Sequence, residues 1–294
     1  MLNSSLQSLL LVALVCLAPL LHAETILLEM KPGIQASAEY IKGNPDKPVV
    51  IALHGFLQTN SYLTITNIRE SITDNDYSLL APTLSYGINK RSSLMACEEL
   101  HRHTMEDSLE ELKRWMLWLE RQGHSRVIFA GHSFGSVTAL AYLERNSQKE
   151  GLPITEKLIA FGLIDTEFVP DRERREQERV LARQRLLDGD YNHYNYRLSY
   201  CNRYRTSADA FLSYADWTSE RIITALSHIN GRVNVLSVLG SKDKRVPKDW
   251  PARQRAAGAS VEIIEGANHF FGGDHQFKLL GLLDKILGNV DASH

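Results

Sequence analysis

At residues 126–135 the chain reads RVIFAGHSFG, an apolar run that leads directly into the pattern Gly-x-Ser-x-Gly, where x is any residue. Residues 126–130 have the length and composition of a buried strand, and residues 137–143 continue with the spacing of a helix. A tight turn between a strand and a helix needs Gly131 and Gly135, because side chains there would collide. We therefore predict that this turn exposes the hydroxyl of Ser133 as a nucleophile near the positive end of a helix.

Similar apolar runs occur before and after this turn. The candidate strands cover residues 49–53, 77–82, 157–164, 232–240 and 261–264, and Pro82 is expected to stop the second of them. Continuous apolar runs are typical of strands buried on both faces, as in a parallel sheet. Helical patterns alternate with these strands, one of them beginning near Thr104 and ending at Gly123, and the last covering residues 277–287. The alternation predicts an α/β fold with a mostly parallel sheet flanked by helices.

A serine hydroxyl needs an adjacent base, and the base needs an acid that holds its tautomer. His269 follows the last candidate strand and is the predicted base, while the rival His275 is expected to begin the final helix. Asp243 follows the fifth strand and is the predicted acid, with Asp165 at the end of the fourth strand as its competitor. The chain order Ser133, Asp243, His269 is the order expected for this architecture.

Negative charge on a tetrahedral intermediate requires preorganised backbone N–H donors. The residue after the nucleophile, Phe134, is the first predicted donor. The second is Phe56, in the loop after the first buried strand, where Gly55 permits a close approach of the backbone. His54 is interpreted as a structural residue that forms hydrogen bonds within this loop.

These features together resemble the α/β-hydrolase superfamily across residues 45–290. The resemblance implies an eight-stranded, mostly parallel sheet with an inserted helical cap, and it implies no cofactor. Serine at position 133, rather than aspartate, disfavours the dehalogenase and epoxide-hydrolase branches. His54-Gly55 is followed by a single residue, Phe56, and not by a run of glycines. In this feature the chain resembles lipases and esterases that act on medium or long acyl chains. The chain also resembles exported bacterial hydrolases.

On this basis the expected function is that of a serine hydrolase that cleaves a carboxylic ester through an acyl-enzyme intermediate. An amidase, thioesterase or peptidase would use the same triad, and a non-catalytic binding protein on the same fold is the remaining alternative. The expected partner is a small-molecule or lipid-like ester, and the oligomeric state stays open.

Residues 166–225 interrupt the alternation and are predicted to be a cap inserted between core segments 24–165 and 226–294. Residues 171–179 read DRERREQER, a mixed-charge helical run whose simplest interpretation is a solvated face. Six of the eleven tyrosines follow within residues 191–214. They either pack a small core of their own or line the substrate pocket.

Residues 1–23 are predicted to be a secretory signal peptide, because the apolar run 9–21 is too short to span a bilayer and Ala23 is a plausible cleavage point. An uncleaved anchor or a cytosolic start is the alternative. Removal takes Cys16 and leaves Cys97 and Cys201, which are hypothesised to form a disulfide; two isolated buried thiols are the other interpretation. The protein is thus expected to be periplasmic or secreted, without a stable membrane anchor.

Composition excludes other classes of partner. The 294 residues carry 33 Lys and Arg against 35 Asp and Glu, a net charge of −2, so no basic field favours nucleic acid. Histidines and acidic residues at positions 97–103 could serve as metal ligands, but no second cluster accompanies them, and the segment is interpreted as a polar loop. No metal is therefore expected.

Overall fold

The computed structural model describes residues 23–147, 149–167 and 171–288. Within this part of the chain the strands are β1 (Ala23–Lys31), β2 (Ile34–Ile41), β3 (Val49–Leu53), β4 (Leu79–Thr83), β5 (Arg126–His132), β6 (Ile154–Phe161), β7 (Tyr194–Leu198), β8 (Cys201–Thr206), β9 (Asn234–Gly240) and β10 (Ser260–Ile264). The predicted signal peptide lies outside the described residues except for Ala23, the first residue of β1.

The helices are α1 (Leu63–Asp74), α2 (Met105–Arg121), α3 (Phe134–Asn146), α4 (Arg172–Leu187), α5 (Ala208–Ala215), α6 (Ser219–Ile229), α7 (Trp250–Ala256) and α8 (His275–Gly288). Among the described residues, none of the helices combines the length and the apolar character that crossing a bilayer requires.

Eight of the strands form one sheet in the order β1-β2-β4-β3-β5-β6-β9-β10. β2 runs antiparallel to both β1 and β4, and every pair from β4 to β10 is parallel. The predicted mostly parallel, eight-stranded sheet is confirmed. Because the carboxyl ends of parallel strands meet at one edge, the residues after β3, β5, β6, β9 and β10 gather there.

Two apolar layers cover the faces of this sheet. Along β3, Val49, Ile51 and Leu53 belong to one buried cluster, while Val50 and Ala52 belong to the other. Helices α2 and α3 pack on the first face, and α1 and α8 pack on the second. A strand between two such layers has no polar face, which explains its continuous apolar run.

Two features at the antiparallel side of the sheet differ from the sequence analysis. The hairpin of β1 and β2 was not predicted, because β1 is largely exposed at the sheet edge and lacks an apolar run. The expectation that Pro82 stops its strand was wrong: Pro82 lies inside β4 and pairs with Ala38 of β2. Pairing of β4 with β3 extends only over Leu79 and Leu80, so further along β4 has a partner on one side alone, where proline is tolerated.

Residues 166–225 contain α4, α5, the first part of α6 and a two-stranded antiparallel sheet of β7 and β8 that was not predicted. Tyr196 and Tyr204 lie opposite each other in this small sheet and are buried, and Tyr196 stacks on Phe211 with ring centroids 4.1 Å apart. These tyrosines pack in the interior, whereas Tyr191 and Tyr200 are exposed. The division of the chain at residues 165 and 225 stays a prediction.

Cys97 and Cys201 form a disulfide, as hypothesised. The bond joins the segment before α2 to the first residue of β8, across a sequence separation of 104 residues. A further contact between the same segments is the bridge of His101 to Thr206. The disulfide therefore ties the β7–β8 hairpin to the core of the molecule.

We expect removal of this disulfide to lower the free energy of unfolding by about 2–5 kcal/mol, because a cross-link over a loop of this length restricts the unfolded chain. The measurement is urea unfolding of the parent and of the Cys97→Ala/Cys201→Ala variant, each with and without reductant. Reductant should destabilise the parent only. Equal stability of the parent and the variant, or two free thiols in the native parent, would contradict this expectation.

Candidate active site

Ser133 lies at the junction of β5 and α3, at the carboxyl edge of the sheet. Its backbone has φ of 56° and ψ of −123°, which L residues rarely adopt. The Ser133 N–H donates to the carbonyl of Phe161 at the end of β6 (2.8 Å), and Ser136 Oγ donates to the carbonyl of Gly131 (2.7 Å). Bonds from both neighbouring elements thus hold the strained turn in place.

The two glycines of the motif allow backbone segments to touch. A Cβ at Gly131 would lie 2.6 Å from the backbone nitrogen of Ser136. A Cβ at Gly135 would lie 2.5 Å from the carbonyl oxygens of both Leu53 and His54. The first glycine closes the turn, and the second lets α3 pack directly on the end of β3 and the loop that follows it.

His269 and Asp243 meet in a buried hydrogen bond. His269 Nδ1–H donates to Asp243 Oδ2 at 2.6 Å, and the other carboxylate oxygen accepts the backbone N–H of Arg245 at 3.0 Å. Asp165, the competing acid, instead accepts the hydroxyl of Ser219 and the backbone N–H of Glu167. Of the two candidate carboxylates, Asp243 is therefore the partner of the histidine.

Burial and charge shift the pKa values of this pair in the same direction. Burial lowers the pKa of His269 below its usual value, although the hydrogen bond to Asp243 opposes the shift. Burial alone would raise the pKa of Asp243, but the hydrogen bond and charge of His269, together with Arg245, outweigh it and the pKa is lowered. At neutral pH the pair is thus a neutral imidazole beside a carboxylate, with the ring proton on Nδ1.

The other ring nitrogen of His269, Nε2, is buried and has no hydrogen-bond partner among the described residues. It therefore forms no hydrogen bond with Ser133 in this structure. The ring nevertheless lies beside the serine turn: its centroid is 5.0 Å from that of His132, whose Nε2 lies 3.0 Å from the carbonyl oxygen of His269. A Cβ at Gly162, the residue after β6, would lie 3.1 Å from His269 Cε1.

The loop after β3 lies against the same turn. A Cβ at Gly55 would lie 3.4 Å from the Cβ of Ser133, and the rings of Phe56 and Phe134 are 5.3 Å apart. Phe134 is the first residue of α3, so its N–H has no acceptor within the helix and stands at the positive end of the helix dipole. Phe134 thus follows Ser133 directly, and Gly55, the residue before Phe56, lies against Ser133; the role of the two N–H groups as donors stays a prediction.

Buried polar side chains hold this loop. His54 Nδ1–H donates to the carbonyl of Gly55 (2.8 Å), and its Nε2 accepts the backbone N–H of Leu84 (3.1 Å). Burial, together with the positive charge of Arg91, lowers the pKa of His54 to about 3, so the ring is neutral. Arg91 is buried as well and donates to the carbonyls of Leu84 and Gln58, each at 2.7 Å.

A cavity that opens to solvent adjoins this cluster. Phe134 and Arg245 form part of its wall from the sheet edge, and residues of α4, β7 and α5 form the other side. Near the cavity, Tyr200 at the tip of the β7–β8 hairpin donates its hydroxyl to the carbonyl of Phe56 (3.1 Å). The hairpin that the disulfide anchors thus contacts the loop that carries Phe56.

Sequence reasoning missed several residues of this site. Arg91, Arg245 and His132 contact predicted site residues, but nothing in their sequence spacing marks them. The run 171–179 was interpreted as a solvated face, yet its Arg175 and Arg179 line the cavity. A repeat of arginine every four residues in α4 was the one signal that could have placed both on the same face.

In the segment 97–103, the cysteine and the histidines that could have served as metal ligands make other contacts. Cys97 is held in the disulfide, and His101 and His103 stack on Tyr204 and Tyr86 at 4.2 and 4.1 Å. Within residues 23–147, 149–167 and 171–288, no group of three or more His, Cys, Asp or Glu side chains could hold a metal ion.

Solved structures with the same fold include Est1E from Butyrivibrio proteoclasticus, at 16% sequence identity over 92% of this chain and 99% of that chain, with a TM-score of 0.62. The thioesterase domain from the curacin biosynthetic pathway gives 18% identity, 89% and 99% coverage, and a TM-score of 0.57. The Pyrococcus furiosus esterase PF2001 is 14% identical over 92% of this chain and 91% of that chain, with a TM-score of 0.58. At such identities the likeness concerns the fold alone.

No curated protein sequence matches this chain. The sequence profile of the alpha/beta hydrolase family matches residues 50–278, most of the chain and all of the site described above. The chain therefore belongs to the alpha/beta hydrolase family.

Proposed function

We propose that this protein is a serine hydrolase that cleaves a carboxylic ester through an acyl-enzyme intermediate. Ser133 is the nucleophile, His269 is the general base and acid, and Asp243 orients His269 and stabilises its protonated form. The backbone N–H groups of Phe56 and Phe134 bind the oxyanion. Membership of the alpha/beta hydrolase family supports a hydrolytic reaction in general. The roles of these residues and the choice of an ester as substrate are part of the proposal.

The observation that carries the proposal is the state of His269. Its Nδ1 is committed to Asp243 at 2.6 Å, and its buried Nε2 has no partner among the described residues. A neutral imidazole with this tautomer has its basic lone pair on Nε2, beside the turn that presents Ser133. Hydrogen bonds between nucleophile and base are often long without substrate and tighten when it binds.

The proposed reaction has two halves. Ser133 Oγ bonds to the carbonyl carbon while its proton passes to His269 Nε2, and the carbonyl oxygen becomes an oxyanion. The intermediate collapses, the bond to the leaving oxygen breaks, and His269 returns the proton to that oxygen. Water then attacks the acyl carbon with His269 again as base, and the acid leaves with Ser133 restored.

An ester with an organic acyl or alcohol group suits the adjoining cavity. Leu198, Phe211 and Trp217 supply apolar wall, as is typical of sites for small organic molecules. We also propose export of the chain, which the disulfide supports because such bonds persist in oxidising compartments.

A substrate panel tests the proposed reaction. The panel contains 4-nitrophenyl esters of graded chain length, the matching thioesters and the matching anilides, each assayed for kcat/KM. We expect the esters to be cleaved fastest, with a chain-length optimum that reports the depth of the cavity. Faster cleavage of the thioesters or anilides would show that the enzyme prefers a sulfur or nitrogen leaving group over oxygen. No cleavage of any substrate would contradict the proposal that the protein is a hydrolase.

The pH profile of kcat/KM should follow the protonation of His269. The base must be neutral, so the rate falls as pH falls through the His269 pKa. Because burial lowers that pKa, we expect the midpoint of the acid limb below the ordinary value of 6.5. The measurement is kcat/KM for one ester between about pH 4 and 9.

A variant of Arg245 tests whether His269 is the group that controls the acid limb of this profile. Its positive charge lowers the pKa of His269, so Arg245→Gln should move the acid midpoint upward. A midpoint above neutrality in the parent, or a downward shift in the variant, would show that another group controls the acid limb.

A further inference from the structure

The cavity beside the proposed triad is unusually rich in arginine. Arg175, Arg179, Arg197 and Arg245 all line it, and Asp165 is the one carboxylate among the described lining residues. Arginine side chains in a partly enclosed space are costly unless anions compensate their charge. The question is therefore which of these four cations the protein itself neutralises.

Carboxylates of the chain neutralise three of them. Arg179 pairs with Glu167 at 2.9 Å and also with Glu176. Arg197 pairs with Glu178 at 3.0 Å and lies 3.2 Å from Asp171.

Arg245 lies 3.8 Å from Asp243, the proposed orienting acid. The guanidinium groups of Arg179, Arg197 and Arg245 thus have anionic partners in the free protein.

Arg175 differs from them. It has no carboxylate within ion-pair distance among the described residues; its Nη2 donates to the carbonyl of Ser199 at 2.7 Å. Its Nε is buried and, like that of Arg197, has no hydrogen-bond partner among the described residues, but only the Nε of Arg197 lies near a carboxylate, 3.2 Å from Asp171. Burial lowers the pKa of Arg175, although Glu178 and Asp171 oppose the shift from a distance. A buried donor on an unpaired cation is a position that a ligand anion can fill.

We propose that the natural ester carries a carboxylate group in the part that occupies this cavity, and that Arg175 binds it. This inference rests on the proposed function, and it names the class of substrate. A guanidinium group offers two parallel N–H donors that match the two oxygens of a carboxylate. Apolar wall from Leu198, Phe211 and Trp217 would contact the hydrocarbon that connects the carboxylate to the ester.

Matched pairs of esters test the proposal on both sides of the scissile bond. For the acyl side, mono-4-nitrophenyl glutarate is compared with its neutral isostere, 4-nitrophenyl 5-methylhexanoate. For the alcohol side, 4-acetoxybenzoate is compared with 4-isopropylphenyl acetate. In one of the two pairs the parent should prefer the carboxylate in kcat/KM by about 10- to 100-fold, the range of a charge-assisted hydrogen-bonded pair.

Variants in α4 then assign the preference to one side chain. Arg175→Gln should reduce the preference to about equality, and Arg175→Lys should retain part of it, because lysine keeps the charge but not the paired donors. The matched control is Arg172→Gln, in the same helix and exposed, which removes the same charge and should keep the parental preference. Thermal unfolding of each variant confirms that it is folded.

A binding measurement separates failure of this proposal from failure of the proposed function. Calorimetry with the Ser133→Ala protein should show tighter binding of mono-4-nitrophenyl glutarate or 4-acetoxybenzoate than of the neutral isostere, and Arg175→Gln should abolish the difference. If neutral esters are hydrolysed but neither pair shows a preference for the carboxylate, the carboxylate assignment is wrong and the hydrolase stands. If no ester is hydrolysed, the proposed function fails. If, in addition, both members of each pair bind equally or do not bind, the role of Arg175 is overturned as well.

Discussion

Replacing Ser133 by alanine is expected to lower kcat for 4-nitrophenyl esters by about 10⁴-fold or more. The proposed reaction passes through a covalent bond to Ser133 Oγ, and no other described residue occupies the turn between β5 and α3 at the sheet edge. The residual rate would come from the N–H donors and from substrate binding alone. The measurement is steady-state hydrolysis of the best ester in the panel.

The fold of this variant should remain intact, which separates lost chemistry from lost structure. Alanine has the same Cβ as serine, so the strain at φ of 56° is unchanged. The turn is held by the backbone N–H of residue 133 and by Ser136, neither of which the substitution alters. We expect a melting temperature close to that of the parent, and a variant with near-parental activity would refute the mechanism.

Replacing Asp243 by asparagine is expected to lower kcat by about 10⁴-fold. The Arg245 N–H donates to Asp243 Oδ1, so the amide oxygen of asparagine would keep that position and its NH₂ group would face His269. Nδ1 would then have to accept a hydrogen bond, which moves the ring proton to Nε2. In that tautomer Nε2 is no longer available as the base for Ser133.

Asp165→Asn serves as the comparison for this effect. Asp165 is the rival carboxylate at the end of β6, but its hydrogen bonds run to Ser219 and Glu167 rather than to His269. We expect its loss of kcat to be at least about 100-fold smaller than that of Asp243→Asn. A larger loss in Asp165→Asn would exchange the roles of the two carboxylates.

The parallel part of the fold could be predicted from the sequence because its strands lie between two apolar layers. Residues 49–53 are apolar without interruption, and the structure buries every one of them in β3. The start of α2 was also readable, since Thr104 and Asp107 exchange the two hydrogen bonds of a capping box. Boundaries were less accurate: the fourth predicted strand, at 157–164, corresponds to β6 at residues 154–161.

The remainder of the fold depends on contacts between distant segments. The hairpin of β1 and β2 is stabilised by pairing with β4, and β7 and β8 are stabilised by packing of Tyr196 on Phe211. Such strands have no continuous apolar run of their own. The same holds for Arg175, whose sequence environment is a charged helix and whose place in the cavity becomes visible only when α4 packs against the core.

The candidate site was predictable to the extent that it follows strand ends. Ser133, Asp243 and His269 each follow a strand of the parallel sheet, and such residues gather at one edge whatever the loops contain. The structure brings Asp243 and His269 into contact. The contact of His132 with this pair could not be predicted, because its ring reaches the carbonyl of His269, 137 residues further along the chain. The hydrogen bond from the Arg245 backbone N–H to Asp243 is local, but any residue type other than proline at position 245 could donate it.

The covalent intermediate itself gives the most direct test of the proposed reaction. The protein is mixed briefly with a 4-nitrophenyl ester, quenched in acid, and weighed intact and after digestion by mass spectrometry. We expect one added acyl group, located on the peptide that contains Ser133 and absent from the Ser133→Ala variant. An acyl group on another residue, or one that persists in Ser133→Ala, would contradict the mechanism.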